Sequence, residues 1–165
     1  MALSNLGIFH TTIGVIAIGA ALTSFVKFAK INLAARSGKI YLYGTLITSL
    51  TALGISRHGG FNPGHAFSLL IIIVVAIASF LFYKRSGNNS VRYFENFLFS
   101  FSLFLSLIPT VNETLTRIPI AQPLAKDITD PVIAKSLLGI FIVFLGITVY
   151  QVVRQRKINR NTPSR

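Results

Sequence analysis

Charge-free runs constrain this chain more than any other feature. No charged side chain falls between Met1 and Val26, and four later stretches are almost as bare: Ile40–Ser56, Ala66–Tyr83, Tyr93–Val111 with only Glu95, and Ile133–Val153 with only Lys135. A bilayer core of about 30 Å is crossed by roughly 20 mainly apolar residues. They must be helical or closed into a barrel, because lipid offers no partner to an open backbone. Five stretches therefore predict an all-α integral membrane protein, a bundle of five transmembrane helices at about 6–26, 40–56, 66–83, 93–111 and 133–153, followed by a basic polar tail, 154–165, that frays. Lys135 lies close enough to a span end to snorkel. Met1–Phe9 has no Lys or Arg, so the first run lacks the charged start of a signal peptide and reads as a retained helix.

Composition agrees. Only 12% of the 165 residues are charged and the mean hydropathy is +0.66, whereas a soluble domain carries about a quarter of charged residues. An ordinary soluble enzyme and a disordered tail are excluded. With no cysteine, so are a disulfide scaffold, a thiol nucleophile, an iron–sulfur cluster and a thiolate zinc site. No phosphate-binding glycine loop, paired-carboxylate site or nucleophile elbow is present. No internal repeat is visible, which argues against an inverted-repeat transporter.

The net charge of +12 could suggest nucleic acid, but the basic residues fall in clusters between the spans. With the N-terminus outside, the inner segments hold twelve: Lys27, Lys30, Arg36, Lys39, Lys84, Arg85, Arg92, Arg154, Arg156, Lys157, Arg160 and Arg165. The outer segments hold four: Arg57, Arg117, Lys126 and Lys135. The positive-inside rule then predicts N-out and C-in. The partners this implies are the bilayer and anionic lipid head groups at the cytoplasmic face, not DNA or RNA. A homo-oligomer or a membrane-protein partner is compatible with the same surface.

Small residues at helical spacing, Gly14, Ala17, Ala21 and Ser24 in the first span and Gly44, Thr45, Thr48, Thr51 and Ala52 in the second, predict close backbone approach. These two helices are expected at the centre of the bundle. The Thr stripe serves packing or lines a polar path. Tyr41 and Tyr43 are expected at the interface. Glu95, near Arg92, reads as an interfacial ion pair. In the outer turn Ser56–His65, Asn62-Pro63-Gly64 should stop one helix and start the next. The longer outer segment, Asn112–Val132, holds three prolines and the apolar Ile118, Ile120 and Leu124, so it is expected to pack on the bundle as an ordered cap or re-entrant strand-like piece.

All three histidines fall on the outer side of this topology. His10 lies about one turn inside the first span, so its ring should face the protein; His65 opens the third span at a similar depth. Together with Glu113 they would make a two-His, one-carboxylate set suited to Zn or non-haem Fe. Alternatively, His10 and His65 could ligate haem from both sides, with Arg57 and Arg117 on its propionates and His58 at the rim. Such a haem would be non-covalent, since no Cys-x-x-Cys-His is present. A third reading has the histidines donating to helix-end carbonyls or loop groups, with Glu113 paired to Arg117 at i,i+4; a proton relay or ligand pocket is a fourth.

His10-Thr-Thr-Ile-Gly14, Arg36-Ser-Gly-Lys-Ile-Tyr41, the turn Arg57–His65, and Glu113-Thr-Leu-Thr-Arg-Ile-Pro119 with Pro123-Leu124 together resemble a family of small multi-spanning bacterial inner-membrane proteins. The chain is similar, more distantly, to four-span proteins that open their first helix with His. Those often carry further inner-loop histidines where this chain has Ala35 and Val91. The resemblance implies localisation in a bacterial inner membrane. Taken together, the expectation is a small polytopic membrane protein with a His/Glu metal or haem site at its outer face. The alternative is a structural or interaction subunit, or a protein of small-molecule or lipid passage, without a metal.

Overall fold

The computed structural model describes residues 4–55, 60–84 and 89–161. Five helices follow one another: α1 (Asn5–Phe28), α2 (Arg36–Leu53), α3 (Pro63–Lys84), α4 (Asn89–Leu115) and α5 (Pro131–Asn161). Four of them, α1, α3, α4 and α5, are long and apolar enough to cross a membrane; α2 is not, by composition. Among the described residues, consecutive helices pack on one another, α1 on α2, α2 on α3, α3 on α4 and α4 on α5.

The ends of the helices follow from local chemistry. Ser4 caps α1 by accepting the Gly7 N–H at 3.1 Å. Asn62 does the same for α3, its carboxamide oxygen accepting the His65 N–H, with Pro63 at the first helical position as the sequence suggested. Asp130 caps α5 through Val132. α1 ends at Ala29 in the left-handed region, φ 57°. The chain then folds back tightly. Ser24 Oγ donates to the Lys30 carbonyl and accepts the Asn32 N–H, while Ile31 and Leu33 are buried. A Cβ on Gly38 would fall 2.0 Å from the Asn32 carbonyl oxygen, so this return admits only glycine.

α1 and α2 form an antiparallel hairpin in close register. Leu6 meets Gly54, His10 meets Thr51 and Thr48, Gly14 meets Thr48, and Ala17 meets Gly44. The small-residue stripes expected from the sequence make this contact. The centre of the bundle is different from the expectation. α4 is the most buried of the four apolar helices and α1 is largely exposed. The core joins Ala17 and Ala21 to Tyr41, Leu42, Ile71, Val75, Ala78, Phe99 and Leu103, so α2, α3 and α4 enclose it. A ladder of Phe97, Phe101, Phe104, Phe141 and Phe144 fastens α4 to α5.

Four further expectations are corrected. Tyr41 is no interfacial anchor: it is 1% exposed, and its hydroxyl shares a 2.7 Å hydrogen bond with Ser102 across the core. α4 runs through Pro109 to Leu115, past the expected end at Val111. The basic tail does not fray at Arg154, because α5 continues to Asn161 and packs Asn159 against Tyr93. The segment 116–130 consists of turns and bends, with Ile118, Ile120 and Leu124 exposed rather than packed. Backbone bonds hold it, chiefly Ala125 N–H to the Leu115 carbonyl at 2.9 Å, and Ala125 is its buried residue.

Candidate functional site

The site of His10, His65 and Glu113 is built around the C-terminal end of α2. A helix ends with carbonyls that lack partners and a partial negative charge, which nearby cations or donors offset. α2 has no basic residue in its own last turn. Imidazoles of the neighbouring helices reach this end, His65 at the Ile55 carbonyl just past it and His10 at the Thr48 carbonyl about one turn inside it. His10 of α1 sits half-buried with Nδ1 3.0 Å from the Thr48 carbonyl and 3.1 Å from Thr51 Oγ1. A carbonyl only accepts, so Nδ1 carries the proton, and the ring faces the protein as its depth required. His65 of α3 is 7% exposed, its Nε2 3.3 Å from the Ile55 carbonyl and 3.3 Å from the Asn62 amide nitrogen. The first contact needs a proton on Nε2 and the second needs a lone pair, so the ring chooses between them by tautomer. Phe61 packs edge-on against this ring.

Glu113, in the last turn of α4, forms an i,i+4 ion pair with Arg117 at 2.6 Å, and its carboxylate lies within electrostatic reach of His10. Arg57 and His58 lie outside the described residues. The third reading of the sequence is therefore the arrangement present: histidines bonded to helix-end groups, and an ion pair one turn long. His10, His65 and Glu113 do not gather into a coordination set. Among the described residues, no group of three His, Cys, Asp or Glu side chains is placed to hold a metal ion.

The fit of metal or haem can be judged from the donors themselves. His10 bonds Thr48 and Thr51 of α2, and His65 Nε2 lies between the Ile55 carbonyl and the Asn62 amide, so the contacted nitrogens are engaged with separate protein groups rather than with a common centre. The apolar cleft between α1 and the α4–α5 pair is lined by neither histidine. The residues fit a clasp on α2 better than a ligand set.

A second polar cluster lies at the opposite end of the helices. Gln151 of α5 accepts from Ser100 at 2.9 Å through Oε1 and donates to the Ala29 carbonyl at 3.1 Å. Asn96 donates to Gln155, Gln155 donates to Asn159, and Asn159 donates to Tyr93. Arg154 donates to the Phe28 carbonyl and so caps α1. Glu95 is buried and faces Lys30 of the α1–α2 turn at 3.8 Å, with Arg92 also within electrostatic reach. The sequence held a signal for this cluster that went unread. Asn96 and Ser100, and Gln151, Gln155 and Asn159, are spaced by four on facing helices, which in lipid marks interhelical hydrogen bonding.

Between the two ends runs a shallow apolar cleft of about 50 Å³, lined by Phe25 of α1, Leu103, Phe104 and Leu107 of α4, and Ile140, Val143, Phe144 and Ile147 of α5, with Ser100 at its polar end. No family model, curated protein or solved structure matches this chain.

Proposed function

We propose that this chain is a multi-pass protein of a bacterial inner membrane, with five spans, the N-terminus outside and the C-terminus inside, that binds an amphiphilic molecule within the bilayer. One observation carries the reading. The polar side chains at both ends are engaged in fastening helices together, whereas the apolar cleft between α1 and the α4–α5 pair stands open to the side. It is a shallow lateral groove rather than an enclosed pocket, a shape that suits a chain lying along the surface of the bundle. The fifth crossing is supported by the α1–α2 register. From Gly54 to Gly44, α2 runs level with α1 from Leu6 to Ala17, so it lies at the depth of that part of α1. The N-out orientation rests on the twelve-to-four asymmetry of basic residues.

The test is one purification in mild detergent, followed by lipid extraction, elemental analysis and an absorption spectrum. Co-purified amphiphile at about one per chain is expected. Stoichiometric Zn or Fe, or a Soret band, without bound amphiphile would return the outer histidines to the role of ligands. Reporter fusions at Ser86 and after Arg165 should both read cytoplasmic; a periplasmic C-terminus would remove the fifth crossing.

A further inference from the structure

The lateral cleft has a direction, and one side chain sets it. Ile140 and Ile147 line it on α5, and Arg154 lies another seven residues along. Residues seven apart on an α-helix drift by only about 20°, so the guanidinium lies in line with the apolar stripe, about 10 Å beyond Ile147. Arg154 is exposed and held in place, since it donates to the Phe28 carbonyl at the end of α1. Phe25, one turn back on α1, is the cleft's opposite wall. Gln151, bonded to Ala29 and Ser100, is buried beside this end of the cleft.

We propose that this cleft is the site of a phospholipid of net negative charge, drawn from the inner leaflet, with an acyl chain along Phe25, Leu103, Val143 and Ile147 and its phosphate on Arg154. The inference rests on the amphiphile reading above and names its ligand. Arginine suits the role because its planar fork keeps donors to spare for phosphate after one carbonyl is served. Lys27, Arg156 and Lys157 are exposed at the same end of the bundle. The acid there, Glu95, is turned to Lys30. The local field therefore favours an anionic over a zwitterionic head group. The cleft's wall is apolar up to Ser100, so one end takes a hydrocarbon chain and the other takes charge.

The experiment is native mass spectrometry of the full chain released from detergent, titrated with phosphatidylglycerol or with phosphatidylcholine of the same chains. Wild-type protein should retain phosphatidylglycerol at least tenfold better. Val143→Trp, which fills the cleft from a 59% exposed position, should abolish retention of both lipids. Val149→Trp, on α5 but outside the cleft lining and 63% exposed, should leave retention unchanged. Arg154→Gln should erase the preference for phosphatidylglycerol, and Arg154→Lys should keep part of it. Helix content by circular dichroism, matched to wild type, qualifies each variant for comparison. Equal retention of both lipids, unaffected by Arg154→Gln, would overturn the anionic assignment while leaving an amphiphile site. Retention of neither lipid, or retention untouched by Val143→Trp, would overturn the site itself.

Discussion

Gly44 offers the sharpest test of how α1 and α2 are held. A methyl group placed there would come 2.9 Å from Ala17 Cβ and 3.5 Å from Ala17 Cα. Carbon atoms rest at about 3.5–4.0 Å, so the two helices must separate by roughly 0.6–1 Å at that level. A gap of that size forfeits about a quarter to a half of each contact, worth ~0.1–0.2 kcal/mol per atom pair. Over a few tens of pairs along the hairpin the loss is about 1–2 kcal/mol, within the usual range for overpacking. Replacing glycine by alanine in a helix returns up to about 1 kcal/mol, so the comparison needs a control. Gly146 of α5 is exposed, and a Cβ there meets nothing within 4 Å. Gly146→Ala should therefore be neutral or stabilising by up to ~1 kcal/mol, and Gly44→Ala should lie about 1–3 kcal/mol below it. The assay is reversible unfolding in mixed micelles, followed by far-UV circular dichroism against the mole fraction of denaturing detergent. Ala17→Gly added to Gly44→Ala removes the opposing methyl group and should restore about 1 kcal/mol, a coupling read directly from the double-mutant cycle. Equal stability of the two single alanine variants, or no rescue by Ala17→Gly, would refute the register and the close approach together.

The histidine clasp on α2 and the capping turns give further expectations. His10→Ala removes the donor to Thr48 and Thr51 and should cost about 1–2 kcal/mol in the same assay; His65→Ala, at a more buried ring, should cost about 1–3 kcal/mol. If either variant unfolds like wild type, the clasp is not structural. Ala29→Gly relieves a left-handed residue and should be neutral or stabilising by up to ~1 kcal/mol; a loss would show that the Ala29 methyl group packs. Thr129 holds the Asp127 carboxyl below the ordinary carboxylate range, and the Val132 and Lys126 amides do the same for Asp130. A lowered folded pKa stabilises above the unfolded value, near pH 4, and that contribution fades as pH falls through the folded value. Amide exchange of Lys126, Thr129 and Val132 should therefore rise below about pH 4 beyond the change expected from intrinsic chemistry. An Asp130→Asn variant should lose much of this acid response; an unchanged response would remove Asp130 as its source.

The helices were legible because lipid imposes one simple rule on the backbone, and their ends were legible where capping chemistry is local, as at Asn62-Pro63-Gly64. The inward turn of His10 followed from depth alone. What the ring bonds to did not, because a carbonyl such as that of Thr48 carries no sequence label. Coordination by His10, His65 and Glu113 was inferred from shared depth, yet depth fixes one coordinate and leaves rotation about each helix free. The placement of α4 at the centre was hidden by its polarity. Glu95, Asn96, Ser100 and Ser102 look like a poor span when read singly, and become a buried seam once Lys30, Gln155, Gln151 and Tyr41 face them.

α2 carries the same lesson to its limit. Judged alone it falls short of the apolarity of the other four helices, and a hydropathy reading would leave it outside the membrane. Its polar groups, however, are already spent. Thr48 and Thr51 donate back to Gly44 and Ile47, Tyr41 pairs with Ser102, and Thr45 and Ser49 are buried. The end of the helix that α1 and α3 reach is held by imidazoles from both sides. In a bilayer the cost of placing these groups would be set by their partners and not by transfer from water. The proposed fifth crossing depends on this shielding. Gly44, His10 and His65 are therefore the positions at which the crossing should fail first, and a reporter after Arg165 in a Gly44→Leu, His10→Ala double variant would lose its uniform cytoplasmic reading if the shielding, rather than apolarity, keeps α2 in the bilayer.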